Sequence, residues 1–123
     1  AFLVRRADDI VWAGFFLLRN GELTVGPYNG PPALPILTKN RGVCWTCMDT
    51  GKPTIVPNTH EFKGHIRRAG PSNSEMSVPI KDGVGNSIGV LHHDSADFDV
   101  FDEIDVEYVE QIVGMIVGSL TDF

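Results

Sequence analysis

The stretch Ile10-Val11-Trp12-Ala13-Gly14-Phe15-Phe16-Leu17-Leu18 is an almost unbroken apolar run, bounded by Asp8-Asp9 before it and Arg19-Asn20-Gly21 after it. A short apolar run between turn residues is typical of a strand that is buried on both faces of a sheet. Residues 22–25 follow the turn as its hairpin partner, and we expect Gly26-Pro27 to end that partner because proline cannot donate to a strand ladder. The run therefore predicts a sheet in which residues 10–18 form a central strand.

Further short runs along the chain predict more strands around this one. Residues 54–56, 75–80 and 87–92 are apolar or alternating, and the last two are joined by a glycine-rich hairpin connection. Residues 34–37 are expected to form a short edge strand. Residues 57–73 show no apolar period and predict a long loop, a kind of segment that often carries function in compact domains.

Two segments have helical features. Residues 42–48 predict a short helix that ends at Gly51. At the end of the chain, apolar residues recur at helical spacing and form one stripe: Val106, Val109, Val113, Ile116, Val117 and Leu120. Asp102 is a good N-cap for this last helix, and Glu103 and Asp105 suit its positive end. Strands and helices in this order predict an α+β fold with an antiparallel sheet.

Composition and charge exclude several classes of protein. The chain has 123 residues, enough for one domain with a buried core, and 42% of them are hydrophobic. The net charge of −6 argues against a nucleic-acid or anionic-membrane partner, which needs clustered Lys and Arg. No apolar run reaches the ~20 residues of a membrane span, and the start of the chain lacks the pattern of a secretory signal. Two cysteines three positions apart indicate a reducing, cytoplasmic compartment rather than a secreted disulfide framework.

Several blocks taken together resemble the free methionine-(R)-sulfoxide reductases, which are GAF domains. The blocks are residues 12–18, 26–33, 41–44 with Thr46, His60 with Phe62 and 64–66, 74–75 with 78–79, 88–91 with Asp94-Ser95, and 101–103 with Asp105. The resemblance implies a single GAF domain over residues 1–123, with a central antiparallel sheet of about five to six strands between N- and C-terminal helices. The family's N-terminal helix is longer, so only its end fits in this chain. GAF domains of this kind commonly pair, which implies a homodimer and a role in signal transduction.

The match fails at the position of the family's catalytic cysteine. In the loop Asn58-Thr59-His60-Glu61-Phe62-Lys63-Gly64-His65-Ile66-Arg67-Arg68, the family's nucleophilic cysteine is replaced by Arg68. Leu34 occupies a second cysteine position, and only Cys44 remains of the usual three. Sulfoxide reduction needs a thiolate and then a resolving thiol, whereas a guanidinium stays protonated and is not a nucleophile. We therefore expect a ligand-binding domain that has lost the reductase activity, with its output passing through dimerisation or an attached domain.

The resemblance also implies which residues bind the ligand. The expected pocket consists of Trp12, Phe16, Arg68, Glu75, His92 and Asp94. Phe16 replaces a tyrosine and so lacks its hydroxyl donor. His92 replaces an acid and Arg68 replaces a thiol, so the resemblance implies a site that is more positive than in the family. We hypothesise a small, amino-acid-like or anionic ligand whose carboxylate Arg68 binds. The alternative, in which Arg68 faces solvent or pairs with Glu61 or Glu75, stays open. Alternation along the strand predicts that His92, and not His93, faces the pocket with Asp94.

Cys44-Trp45-Thr46-Cys47 supports an alternative function. Two thiols at this spacing near a helix start can form a disulfide, so Cys44 and Cys47 would be the catalytic pair of a thioredoxin-linked free methionine-(R)-sulfoxide reductase. The simpler interpretation is that both cysteines are buried core residues. A zinc site from these cysteines and histidines among His60, His65, His92 and His93 matches no standard spacing, so we expect no metal. No other cofactor is expected.

Overall fold

A computed structural model describes residues 9–65 and 72–121 of the chain, with side chains up to Val117. Its elements are β1 (Ile10–Arg19), β2 (Glu22–Asn29), α1 (Gly42–Thr50), β3 (Thr54–Val56), a 3-10 helix (Thr59–Glu61), β4 (Ser74–Lys81), β5 (Ser87–Ser95) and α2 (Glu103–Thr121). The expected N-terminal helix lies outside the described residues. The order of elements confirms the α+β fold.

The five strands form one antiparallel sheet in the order β2-β1-β5-β4-β3. β1 is an interior strand, as its apolar sequence predicted, and β5 lies at the middle of the sheet. β1 turns into β2 through Asn20 and Gly21, whose φ angles of 53° and 80° are the pair of left-handed conformations that a tight hairpin turn needs. The turn and the apolar run together thus place β1 and β2 as neighbours.

The prediction that Gly26-Pro27 ends β2 is wrong. β2 runs on to Asn29, and its pairing with β1 shifts register between Gly14 and Phe16, which face Tyr28 and Val25. β2 advances by three residues where β1 advances by two, so one extra residue in β2 makes a bulge at this point. β2 is also an edge strand, so the missing N–H of Pro27 removes no bond from the interior of the sheet.

The edge strand expected at residues 34–37 is reduced to a single bridge between Thr24 and Ile36. Two backbone bonds hold the segment to β2: Val25 N–H donates to Pro35 O at 2.8 Å, and Leu37 N–H donates to Leu23 O at 3.0 Å. Prolines in and before this segment remove the donors that a longer ladder would need, which explains why the pairing stops there.

Each face of the sheet packs against one helix. The core on the α1 side contains Trp12, Phe16, Leu23, Leu37, Cys44, Trp45, Cys47 and Val90, and the core on the α2 side contains Leu17, Met76, Val78, Ile80, Leu91, Val100, Phe101, Val106, Val109 and Val113. α2 starts as predicted: Asp102 Oδ1 accepts from the N–H groups of Ile104 and Asp105, each at 3.0 Å. Within the described part of the chain, neither helix is long and apolar enough to cross a membrane.

Candidate functional site

Three neighbouring strands send polar side chains to the same face of the sheet, the face covered by α1. Glu75 of β4 is directly opposite Asp94 of β5, and Ser77 is opposite His92. On the other side of β5, Asp94 is opposite Trp12 of β1. Residues that lie directly opposite in an antiparallel pair share a face, so these side chains converge although they come from distant parts of the sequence.

A buried cluster of two carboxylates and one imidazole is the centre of this face. His92 Nε2 lies 2.8 Å from Asp94 Oδ1 and 3.2 Å from Glu75 Oε1. The exposed fraction is 0% for His92, 1% for Glu75 and 3% for Asp94. Charged groups buried to this degree are stable only when they are paired, and the short distances between these three provide that pairing.

Glu75 is held from a second side by the end of the loop before β4. His65 Nε2 lies 2.5 Å from Glu75 Oε2, and Ser72 Oγ donates to the same oxygen at 2.6 Å. His65 and Ser72 lie on either side of residues 66–71, which are outside the described part. Residues on both sides of this gap, His65 and Ser72, therefore contact Glu75.

The cluster also extends towards α1 through Ser77. Ser77 Oγ lies 2.5 Å from His92 Nδ1 and donates to Cys44 Sγ at 3.7 Å. Both nitrogens of His92 thus have defined partners, with Ser77 on one side and the carboxylates on the other. This arrangement fixes the orientation of the imidazole ring.

An aromatic wall closes one side of the cluster. The indole of Trp12 stacks on Phe16 and on Tyr28, with ring centroids 5.4 Å apart in each pair, and lies 6.1 Å from the ring of His92. Gly14 makes this possible, because a Cβ at that position would lie 2.3 Å from Tyr28 Cβ and 2.9 Å from Trp12 Cη2. The wall is apolar and rigid, which suits the methyl or methylene part of a small ligand.

A narrow cleft, with no room for a water molecule, lies beside the cluster at the start of α1. Its lining residues are Leu37, Arg41, Gly42, Val43, Cys44, His65 and Glu75. The first backbone N–H groups of a helix have no acceptor within the helix, so the start of α1 provides hydrogen-bond donors at this cleft. The cleft therefore combines donors on one wall with the acid and imidazole groups of the cluster on the other.

The two cysteines lie one turn apart in α1 and are both free thiols. Cys44 lines the cleft and contacts Ser77, whereas Cys47 points into the core and is 0% exposed. Burial, with a smaller contribution from Cys44, raises the pKa of the Cys47 thiol to about 12. Cys47 is therefore protonated at neutral pH and is a poor nucleophile in the folded protein.

The structure brings together the expected pocket residues that it describes: Trp12, Phe16, Glu75, His92 and Asp94. Arg68 lies outside the described residues. As predicted, His92 shares the face of Asp94, while His93 packs on the opposite side near Phe101.

Three contacts to the cluster were not expected from the sequence: His65, Ser72 and Ser77. For Ser77 the signal was available, since it is two residues from Glu75 in a strand and must share its face. For His65 and Ser72 no local signal exists. The zinc ligands considered above included Cys47, which lies in the core. Among residues 9–65 and 72–121, the group that could hold a metal ion is instead Glu75, His92 and Asp94, whose ligand atoms lie within 4.8 Å of one another.

Comparison with known proteins agrees with the fold. A family model described as GAF domain matches residues 2–117. The chain is 36% identical over 116 residues to the free methionine-R-sulfoxide reductase of Saccharomyces cerevisiae, with 92% of this chain and 64% of that protein covered. It is 37% identical over 126 residues to the free methionine-R-sulfoxide reductase of Escherichia coli, covering 100% and 75%. The solved structure of fRMsr of Staphylococcus aureus in its reduced form is similar with a TM-score of 0.82 at 42% identity, covering 91% and 72%.

Proposed function

Because the chain belongs to the GAF domain family and is homologous to the free methionine-R-sulfoxide reductases, we propose that it binds a small molecule beside Glu75 and does not reduce sulfoxides. The ligand is amino-acid-like or a small anion. The signal of ligand binding passes through dimerisation with a second copy of the chain or through an attached domain. The chain spans 64% of the length of the yeast relative.

One observation carries the binding part of the proposal. Acid, imidazole and aromatic side chains from β1, β4 and β5 meet on the face of the sheet that α1 covers, and Glu75 also lines the cleft at the start of α1. Buried polar groups that converge on a cleft beside an aromatic wall are the usual features of a small-molecule site. A domain that used this face only for packing would not need two buried carboxylates there, because such groups cost free energy to bury.

The proposed loss of sulfoxide reduction rests on Arg68. Arg68 stands where the resemblance places the nucleophilic cysteine, and a guanidinium does not attack a sulfoxide sulfur. An arginine at the same place pairs well with a carboxylate. The ligand of this proposal therefore carries a carboxylate or a similar oxyanion that Arg68 binds.

Isothermal titration at neutral pH tests the binding proposal with methionine sulfoxide, methionine and small carboxylates. We expect saturable binding of at least one of them. Glu75→Gln should weaken the binding of methionine sulfoxide and methionine about tenfold or more, because their ammonium group loses a charged acceptor. Glu110→Gln is the matched control, since Glu110 is an exposed residue of α2. Equal heats for the wild type, for Glu75→Gln and for buffer alone would contradict the proposal.

A second candidate function has one observation in its favour. Cys44 lines the cleft and accepts a hydrogen bond from Ser77, so a thiol does face the place where a ligand would bind. In this alternative, Cys44 attacks the sulfoxide sulfur and becomes a sulfenic acid as the thioether leaves, and Cys47 then forms a disulfide with release of water. The raised pKa of Cys47 argues against the second step in the folded protein.

Reductase activity separates the two candidates. The measurement is NADPH consumption with thioredoxin, thioredoxin reductase and free methionine-(R)-sulfoxide. We expect no turnover above the rate without the protein. Turnover that disappears in Cys44→Ser but persists in Met48→Leu, a change in the same helix, would establish the reductase instead.

A further inference from the structure

The last helix has a second row of large side chains, on the side away from the core. Ile104, Tyr108 and Met115 are 63%, 39% and 83% exposed, whereas the valines of α2 that pack in the core are buried. Together with the exposed Gln111, these residues follow one another at spacings of four, three and four. At 3.6 residues per turn, such positions lie within an arc of about 60° on one side of a helix. We call these four residues the outer seam.

The spacing of the outer seam is that of a helix which pairs with another helix. Steps of four and three repeat along the contact line of a coiled coil, because they keep the same side of the helix towards its partner. Large apolar side chains grouped on an exposed face are a feature of protein–protein contacts. The high exposure of Ile104 and Met115 leaves both ends of the seam available to such a partner.

The charges along α2 determine the direction of pairing for two copies of the chain. The acidic residues of α2 all lie between Glu103 and Glu110, and residues 111–121 contain no charged residue. Two parallel copies would place acidic half beside acidic half, with like charges at short range. Two antiparallel copies place the acidic half of each helix beside the uncharged half of the other, and their macrodipoles then oppose each other. Self-pairing is therefore favourable in the antiparallel direction.

The outer seam matches itself in this direction. A two-fold axis halfway between Tyr108 and Gln111 places Ile104 opposite Met115 of the second copy, and Tyr108 opposite Gln111. Each apolar end of the seam thus meets an apolar end, and the phenol and the amide of the middle layer are donor and acceptor for each other. A surface that complements itself under a two-fold rotation is what an isologous dimer requires.

We infer that two copies of this chain pair through the outer seam of α2, with the two helices antiparallel around a two-fold axis. From Ile104 to Met115 the seam is about 16 Å long, at 1.5 Å for each residue. Such a contact is smaller than a standard protein–protein interface, so the dimer has a Kd of about 10 μM rather than a nanomolar one.

The inference rests on the proposed function for its role, since it names the surface for signalling by dimerisation. On its inner side α2 packs against Met76, Val78 and Ile80 of β4. Glu75 and Ser77 alternate with these residues and face the buried cluster on the other side of the sheet. A ligand that contacts Glu75 therefore acts on the strand against which the paired helix packs.

Sedimentation equilibrium of the chain without any ligand tests the pairing. We expect a monomer–dimer equilibrium that Met115→Glu weakens about tenfold or more, because a charge enters an apolar contact. Val84→Glu is the matched control. It makes the same chemical change at a valine that is also 83% exposed but lies in the turn between β4 and β5. This variant should dimerise as the wild type does.

Two results would overturn the inference. One is a wild type that stays monomeric at about 200 μM, well above the expected Kd. The other is an equal loss of dimer in Met115→Glu and Val84→Glu. Neither result touches ligand binding, which is measured separately by titration, so the binding part of the proposed function would stand. A dimer that binds none of the titrated ligands would overturn the proposed function and leave the pairing surface in place.

Disulfide crosslinking tests the antiparallel register. Ile104→Cys and Met115→Cys each add one thiol to the outer seam, while the native Cys44 and Cys47 are buried. In the antiparallel dimer these two positions are opposite each other, but equal positions are about 16 Å apart, too far for the ~7 Å limit between the Cα atoms of a disulfide. We expect an oxidised dimer from the mixture of the two variants and none from either alone. Crosslinking of Ile104→Cys with itself, or no crosslinking in the mixture, would overturn the inference.

Discussion

His93 makes the free energy of unfolding decrease in acid, and the size of the decrease follows from the pKa of His93. It lies on the α2 side of the sheet, 4% exposed, with its ring 6.1 Å from that of Phe101. Burial in this apolar environment, with a smaller contribution from the positive charge of His92, lowers the pKa of His93 from 6.5 to about 3. The folded protein thus holds His93 neutral at pH values where the unfolded chain takes up a proton.

The direction and size of the effect follow from this difference. At pH 8 neither state has a proton on His93, and the contribution to stability is complete. As the pH falls from 6.5 towards 3, the unfolded state binds the proton first, so the free energy of unfolding decreases. At pH 5 the loss from His93 alone amounts to about 2 kcal/mol.

The variant His93→Leu removes the titrating group and places an apolar side chain of similar volume next to Met76 and Phe101. Urea unfolding followed by tryptophan fluorescence at pH 8 and pH 5 gives the pH-dependent loss of stability for each protein. We expect the wild type to lose about 2 kcal/mol more than His93→Leu between these pH values. Other titrating groups affect both proteins alike and cancel in the comparison.

His60→Gln is the control for removing a histidine as such. His60 is an exposed loop residue, so this variant should show the full loss of the wild type on acidification. If the wild type and His93→Leu lost stability equally, within about 0.5 kcal/mol, His93 would not be the group that takes up the proton on unfolding, and the reasoning would be refuted.

Three further predictions concern single residues. Iodoacetamide at pH 8 should leave Cys47 unmodified in the native protein and should label it in urea, because burial raises the pKa of its thiol to about 12; labelling of Cys47 without urea, seen by mass spectrometry, would contradict this. Trp12→Ala should lower the free energy of unfolding by about 3–5 kcal/mol and Tyr28→Ala by clearly less, since Trp12 is 4% exposed and Tyr28 is 43% exposed; equal losses in urea titrations would disprove the packing argument. Asp102→Ala should cost about 1 kcal/mol by removing the cap of α2, while Glu107→Ala, at an exposed position of the same helix, should change the midpoint of thermal unfolding little; the reverse order would exclude the cap.

The secondary structure was largely predictable because its signals are local. The apolar run of β1, the Asn20-Gly21 turn and the helical spacing of Val106, Val109 and Val113 each lie within a few residues, and the structure confirms all three. The end of β2 was not predictable in this way. A proline breaks a strand only where a neighbouring strand needs its missing N–H. β2 is an edge strand, so whether Pro27 ends it depends on its place in the sheet.

The sequence predicted which site residues of one strand share a face, because side chains alternate along a strand and this alternation is a local signal. Glu75 with Ser77, and His92 with Asp94, must share a face because each pair is two residues apart. Which pair faces which depends on the register between β4 and β5. His65 and Ser72 reach Glu75 through the path of the loop, for which the sequence has no periodic signal.

The sequence by itself thus determined the GAF fold and the residue types at the site. Only the tertiary structure decided which of those residues contact one another. The contact between Ser77 and His92 joins residues 15 positions apart, and that between Ser77 and Cys44 joins residues 33 apart. The charge of a buried imidazole depends on which donors and acceptors surround it within about 3 Å, and packing of strands and helix, not spacing along the chain, selects those neighbours.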